Sequence, residues 1–222
     1  MTEEEWLRCR DPTAMFEFLR GKASERKLRL FAVACCRELW EFVRNERACR
    51  ATEVAEQFAD AVATASELRA VYTATTELLD DPEATLTPAE MAACWVASES
   101  AAEAAELVLG YCSRKDFDFP YRILLWWRQK RRMATFQVRT FRELVGLIPF
   151  RPVAFDPAWR TSDVMLLARG IYEEKAFDRM PILADALQDA GCENHDILNH
   201  LRDSRATHVR GCWALDLVLG KE

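Results

Sequence analysis

Apolar residues recur at steps of three and four along most of the chain. The clearest stripe follows Ser24 and consists of Leu28, Phe31, Ala32, Cys35, Leu39, Phe42 and Val43. This spacing places side chains on one face of an α-helix, so it predicts an amphipathic helix that buries that face. Residues 47–63, 67–79, 89–110 and 121–145 also have helical patterns. No strand-like alternation persists for more than a few residues, and the pattern predicts an all-α, multi-helix bundle.

Proline and glycine divide this pattern into regions. Residues 146–160 contain three prolines and no helical period, which predicts an extended segment, and their apolar residues indicate that the segment packs against the rest of the protein. Short helical patterns follow, with breaks at Gly170, Pro181 and Gly191. We therefore expect a helical bundle in residues 1–145, a packed Pro-rich connector in 146–160 and a C-terminal subdomain of short helices in 161–222, together forming one compact unit.

The charges are unevenly distributed along the chain. The formal net charge is −6, which argues against general nucleic-acid binding. Residues 51–110 contain twelve acidic residues and one basic residue, Arg69, whereas residues 110–160 contain eleven basic and four acidic residues. The two regions are predicted to attract one another, within one chain or between chains. This favours a protein partner or self-association.

The N-terminal residues and the cysteines suggest where the protein resides. The first ten residues are acidic and amphipathic, unlike a signal peptide, and no apolar run is long enough to span a membrane. Eight cysteines without a secretion signal are typical of mostly free thiols in a reducing compartment. We therefore expect a cytoplasmic protein that does not contact a membrane.

All three histidines fall between two cysteines near the C-terminus. A tetrahedral zinc site needs four ligands, usually Cys and His, and this stretch offers Cys192, His200, His208 and Cys212. His208 and Cys212 are four residues apart, so they would share one face of a helix. The five-residue step from His195 to His200 does not fit one helical face. The alternative is structural: both cysteines would be small core residues, and no metal would bind.

A basic stretch in the second half of the chain is the other candidate binding site. Between Phe119 and Arg142 there are seven basic residues and no acidic residue. Positive charges beside aromatic side chains bind phosphates and stack on bases, and the residues placed for this are Trp127, Arg128, Lys130, Arg131 and Arg132. The alternatives are a basic helix that docks on the acidic 51–110 region, or a solvated helix face.

No recognised catalytic motif occurs in the sequence, so no catalytic residue is predicted. The adjacent Cys35 and Cys36 are expected to be buried thiols. The main hypothesis is therefore a non-enzymatic protein-binding or scaffolding module. The alternatives are a nucleic-acid-associated regulator that uses the basic 121–142 helix, a zinc-stabilised domain, and a metal-dependent enzyme centred on His200, His208 and Cys212.

Both ends of the chain resemble a large uncharacterised bacterial family of standalone helical domains. The similar stretches include EFLRGKASERKLRLFAVACCRELW near the N-terminus and FRPVAFDPAW, AFDRMPILADALQDAGC and HVRGCWALDLVLGKE in the last third. The alanine-rich middle, roughly residues 65–140, carries little of the similarity. The resemblance implies a helical domain of about this length, and it implies no activity.

Overall fold

The computed structural model describes residues 1–112, 123–151 and 153–221. In the helix that begins at residue 123, side chains are described from residue 131 onward. These residues form α-helices and short 3-10 helices and contain no strand, which confirms the all-α prediction. The chain divides into two units, one from Glu3 to Val138 and the other from Arg139 onward. The division falls inside a helix, upstream of the Pro-rich connector that the sequence suggests.

The first unit contains seven complete helices and the start of an eighth. They are α1 (Glu3–Arg8), α2 (Pro12–Leu19), α3 (Glu25–Glu38), α4 (Glu46–Ala59), α5 (Ala65–Leu79), α6 (Pro88–Trp95), α7 (Ala101–Tyr111) and α8 (Ile123–Val145). Their starts follow the expected capping chemistry. Ser24 accepts a hydrogen bond from Lys27 N, and Thr64 and Glu67 form a complete capping box.

Helix α3 lies at the centre of the first unit, where it packs against α7 and α4. Every residue from Leu28 to Cys36 is buried, so this helix has no solvent face in that stretch. Arg29 is among these buried residues, at 2% exposure. The apolar stripe that the sequence predicts is therefore confirmed from Leu28 to Cys35, where the burial extends around the whole helix. Its extension to Leu39, Phe42 and Val43 is wrong, because α3 ends at Glu38 and Phe42 is exposed.

Residues 89–110 form two helices, whereas their sequence pattern suggests one. Helix α6 ends at Trp95, and Ser100 begins α7 by accepting a hydrogen bond from Glu103 N. Arg29 donates hydrogen bonds to the carbonyl oxygens of Val96, Ser98 and Glu99 in the connection. A side chain from α3 thus satisfies backbone groups that would otherwise be orphaned at the break.

The second unit contains the last turns of α8, followed by α9 (Ser162–Glu174), α10 (Met180–Asp189), α11 (His195–Arg202) and α12 (Trp213–Leu219). Its hydrophobic core draws buried side chains from α9 to α12. Val153, Phe155 and Trp159 of the Pro-rich segment pack against this core, so the segment is not a free linker. Pro152 lies outside the described residues.

Candidate metal centre

Four polar side chains converge inside the second unit, each from a different part of the chain. Glu143 lies in the last turn of α8, His200 in α11, His208 in the segment between α11 and α12, and Cys212 at the N-terminus of α12. Their potential ligand atoms all lie within 4.8 Å of one another. Among the residues that the structure describes, this is the one group of three or more His, Cys, Asp or Glu side chains with such spacing.

The backbone around two glycines brings these elements together. Helix α8 is followed by Gly146, which adopts a φ of +55°. A Cβ atom at this position would lie 2.8 Å from the Trp213 ring, so only glycine permits the close approach. The Trp213 ring in turn packs against His200, with ring centroids 5.0 Å apart. Gly211, with a φ of +85°, turns the chain immediately before Cys212.

The distances between the four side chains resemble those in a metal coordination sphere. Nε2 of His200 lies 3.2 Å from Sγ of Cys212 and 3.3 Å from Oε2 of Glu143. Nδ1 of His208 lies 2.8 Å from Oε1 of Glu143. Ligands about 2.0–2.3 Å from a tetrahedral zinc ion lie about 3.3–3.8 Å from one another. Small movements would therefore convert the observed contacts into a coordination sphere.

The centre is shielded from solvent. The side-chain exposures are 4% for Glu143, 7% for His208 and 18% for His200. Cys212 is completely buried. A buried carboxylate needs a compensating positive charge or hydrogen bonds, because transfer of a charge out of water is unfavourable.

The electrostatics of the centre favour a negative charge on Glu143. Burial by itself would raise the pKa of this carboxyl, but hydrogen bonds from His200 and His208 and electrostatic attraction to them outweigh burial and lower the pKa to about 2. Burial raises the pKa of the Cys212 thiol well above its ordinary value, and the neighbouring Glu143 carboxylate raises it further. A bound cation would reverse the effect on Cys212, because it stabilises the thiolate.

The contact geometry does not match a Cys/His nucleophile pair oriented by a carboxylate. In that arrangement one imidazole nitrogen faces the nucleophile and the other faces the carboxylate. In this protein one nitrogen of His200, Nε2, contacts both Cys212 and Glu143. The ligand atoms of the four residues all lie within 4.8 Å of one another, which is the spacing that a shared cation needs.

The structure brings together three of the four residues suggested as zinc ligands from the sequence. Cys192, the fourth, lies in the hydrophobic core and is not in the group, and its backbone N donates to the carbonyl of Leu187. The fourth member of the group is Glu143 instead of Cys192. The spacing along α8 is the signal that could have identified Glu143. It lies on the same helix face as Phe136, Thr140 and Leu144, which are buried, and a carboxylate on a buried face needs a partner. His195 is exposed and outside the group.

The basic residues suggested as an anion-binding site lie on α8. Arg131 and Arg132 are exposed, and Arg132 forms an ion pair with Glu38 at 3.0 Å. Glu38 lies outside the acidic 51–110 region, so this contact does not test the alternative of a basic helix that docks on that region. The side chains of Trp127, Arg128 and Lys130 lie outside the described residues, so their part of the hypothesis stays a prediction.

The remaining thiols offer no second centre within the described part of the chain. Cys35 and Cys36 are completely buried, and burial raises the pKa of each thiol well above its ordinary value. Thiols in such surroundings are chemically inert. None of the eight cysteines, all of which the structure describes, forms a disulfide bond.

Comparisons with known proteins do not identify the chain. It matches no protein-family model, no curated protein and no solved structure. The resemblance of its two ends to a bacterial helical family therefore stays a prediction. Within the described residues, no helix combines the length and apolar character needed to cross a membrane.

Proposed function

We propose that the second unit is a zinc-stabilised helical domain with Glu143, His200, His208 and Cys212 as its ligands. The observation that carries the proposal is the convergence of four metal-binding side chains, from separate elements, within 4.8 Å of one another. Zinc accepts thiolate, imidazole and carboxylate ligands in tetrahedral geometry, which is the donor set available here. The role of the ion is structural, because four protein ligands complete a tetrahedron and leave no position for a substrate.

The charge of the centre supports a divalent ion. A thiolate at Cys212 and a carboxylate at Glu143 supply two negative charges, and the two imidazoles bind metal in their neutral form. A divalent cation makes this buried group neutral overall. A monovalent or trivalent ion would leave a net charge in the protein interior, which is unfavourable. The thiolate also favours zinc over magnesium and calcium, which prefer oxygen ligands.

Elemental analysis of the purified full-length protein tests the proposal. Without chelators present, we expect about one equivalent of zinc per chain, as for a closed structural site. Replacement of zinc by cobalt adds a second measurement, because a tetrahedral Co²⁺ ion bound by a thiolate gives an intense visible spectrum and a charge-transfer band. Zinc below about a tenth of an equivalent, together with no cobalt spectrum after reconstitution, would falsify the proposed site.

Two cysteine variants form a matched pair that identifies the ligand set. Cys212 and Cys192 are equally buried in the same core, and only Cys212 belongs to the group. We expect Cys212→Ala to abolish the thiolate-to-cobalt band and Cys192→Ala to keep it. A weaker band in both cysteine variants, combined with an unchanged spectrum in Glu143→Gln, would replace the proposed ligand set with the two-cysteine, two-histidine set suggested by the sequence.

For the biological role of the whole chain, we propose recognition of a protein partner. The support is the separation of charge along the sequence, together with exposed acidic residues around the connection between α5 and α6, at Glu77, Asp80, Asp81 and Glu83. Light scattering after size exclusion tests one form of this role. A dimer at low salt that returns to 25.5 kDa at high salt supports association through opposed charges. A mass of one chain at every salt concentration restricts the role to a different partner.

A further inference from the structure

The segment between α11 and α12, residues 203–211, carries part of the candidate metal centre without regular secondary structure. Its backbone hydrogen bonds include Ala206 N to Asp203 O at 2.9 Å and Cys212 N to Val209 O at 3.1 Å. Each of these bonds closes a single local turn. Such bonds shape the segment, but they do not attach it to a neighbouring helix.

Side chains provide the attachments of this segment to other elements. His208 contacts Glu143 of α8, and Cys212, immediately after the segment, contacts His200 of α11. Arg210 adds two longer contacts to α9: its guanidinium lies 5.1 Å from the centroid of the Tyr172 ring, and its Nη2 donates a hydrogen bond to the carbonyl oxygen of Glu173 at 3.5 Å. The shortest of these side-chain contacts involve the ligand atoms of the centre.

The four ligands differ in what else supports them. Glu143 and His200 lie within helices, whose backbone hydrogen bonds fix their positions whether or not a metal is bound. His208 lies in the irregular segment, and Cys212 is the residue at which that segment joins α12. Metal coordination would thus add little to the positions of the first two residues and much to the position of the segment.

We propose that the bound metal acts as a latch for residues 203–211, so that metal loss releases this segment while the helices of the second unit stay folded. The inference rests on the proposed zinc site and adds a regulatory consequence to it: metal supply controls whether the segment is accessible. The hydrophobic core drawn from α9 to α12 supports the remaining fold, because Cys212 is the one buried residue of this core, among those that the structure describes, that also belongs to the centre.

Limited proteolysis of the full-length protein provides the test. The Arg205 side chain is 91% exposed, and trypsin cleaves after arginine once about ten residues around the bond can unfold locally. We expect cleavage between Arg205 and Ala206 to be at least about tenfold faster in the chelator-treated protein than in the zinc-loaded protein. Mass spectrometry identifies the cleaved bond, and hydrogen exchange of residues 203–211 gives a second readout.

Cleavage after Arg169 is the internal reference, because this exposed residue lies in the middle of α9. The latch predicts that metal removal leaves the rate at this bond unchanged. Equal acceleration at Arg169 and Arg205 would overturn the latch, since the metal would then hold the whole unit together. An unchanged rate at Arg205, in protein shown to bind zinc, would overturn it as well. Absence of zinc binding would instead refute the proposed function.

Two histidine variants make the test independent of the chelator. His208→Gln removes the ligand inside the segment, and we expect rapid cleavage after Arg205 with or without added zinc. His195→Gln changes an exposed histidine outside the group, and it should behave as the unchanged protein does. Circular dichroism verifies that each variant is folded. Full protection of Arg205 by zinc in folded His208→Gln protein would contradict the latch.

Discussion

Each of the two units buries an ionised side chain, and the two solutions differ. In the first unit, Arg29 donates three hydrogen bonds to backbone carbonyls, and its guanidinium packs 5.3 Å from the centroid of the Phe58 ring. In the second unit, Glu143 lies among two imidazoles and a thiol, and the ligand atoms of the four side chains lie within 4.8 Å of one another. Backbone carbonyls of the protein accept the hydrogen bonds of Arg29, whereas the group around Glu143 has the spacing of a cation site.

This difference shows how buried polarity indicates function. A buried charge that is fully hydrogen-bonded by the backbone fixes the fold and leaves nothing for a ligand to satisfy. A buried cluster of metal-binding side chains at one point gains strength when a cation binds, because coordination replaces weaker contacts. The buried Arg29 of the first unit therefore stabilises the fold, whereas the buried group around Glu143 in the second unit is a candidate binding site. The following predictions test this division in order of decreasing effect.

The largest expected effect is in the first unit, on replacement of Arg29 by methionine. The substitution leaves three carbonyl groups without their donor, two of them in buried hydrogen bonds and one partly buried, so we expect the free energy of unfolding of this unit to fall by about 4 kcal/mol. Denaturant unfolding measures the loss, and hydrogen exchange by mass spectrometry assigns it to α3 and α7. The zinc content should not change.

Arg69→Met serves as the control for this prediction. Arg69 forms an ion pair with Glu99, but both side chains are more than half exposed. Exposed pairs contribute about 0–1 kcal/mol, so this variant should retain nearly full stability. Equal losses of unfolding free energy in the two arginine variants would mean that the buried hydrogen bonds of Arg29 do not stabilise the first unit.

The second prediction concerns metal removal, which should weaken only the second unit. Free zinc at about 100 times its Kd would stabilise the unit by about 2.7 kcal/mol. For a domain of this size, that corresponds to a rise in Tm of about 10–20 °C. Hydrogen exchange during heating separates the two units, and protection in α3 should be independent of metal. A metal-dependent Tm in the first unit, with none in the second, would contradict the division.

Much of the fold could be predicted because helical patterns and capping residues are local signals. The apolar stripe after Ser24 and the Thr64–Glu67 capping box both correspond to elements of the structure. The break between α6 and α7 has one local signal, the Ser100-x-x-Glu103 pattern at the start of α7. Its other support is not local: Arg29, about seventy residues away in sequence, donates hydrogen bonds to the connection, and no pattern within residues 89–110 reveals that partner.

The candidate site was predictable in part for the same reason. His200, His208 and Cys212 lie close together in sequence, so their clustering was visible. Glu143 comes from a helix almost sixty residues earlier, and only folding brings it into the group. Cys192 was the other thiol close in sequence to the histidines, and it shares the hydrophobic core with Cys212 but does not belong to the group. Spacing along the chain thus identifies neighbouring ligands and cannot supply distant ones.

The third prediction tests how the backbone shapes the metal centre. Gly146→Ala adds a Cβ 2.8 Å from the Trp213 ring at a residue with a φ of +55°. Backbone strain and overpacking together should destabilise the second unit by about 2 kcal/mol. The zinc affinity should also fall, because Trp213 packs against His200. Thermal unfolding and cobalt titration measure the two effects.

Gly170→Ala is the matched control for that glycine. It lies inside α9, and a Cβ there would meet nothing within 4 Å. Alanine in a helix is favoured over glycine by about 1 kcal/mol, so this variant should be more stable than the unchanged protein. A loss of stability in Gly170→Ala similar to that in Gly146→Ala would mean that the contact between Gly146 and the Trp213 ring does not explain the effect of Gly146→Ala.

The smallest expected effect is in the first unit, at a buried carboxylate that the protein satisfies by itself. Glu90 completes a capping box with Thr87, and its Oε1 also accepts hydrogen bonds from the backbone N of Arg44 and Asn45. Burial by itself would raise the pKa of Glu90, but the hydrogen bonds outweigh it and lower the pKa below the ordinary value of 4.5. Its charged form therefore contributes stability above that value, and the contribution is lost as the pH falls through the folded-state pKa.

Glu90→Gln should accordingly lower the free energy of unfolding of the first unit by about 1–2 kcal/mol at neutral pH. It should also flatten the acid-induced loss of stability below about pH 4.5. Urea unfolding at several pH values measures both effects. Glu67→Gln is the control, because Glu67 forms the same capping box but accepts no bond from a distant segment in the contacts described for it. If the two variants had equal pH profiles, the hydrogen bonds from the backbone N of Arg44 and Asn45 to Glu90 would make no separate contribution to stability. Capping within each helix would then account for the first unit's response to acid.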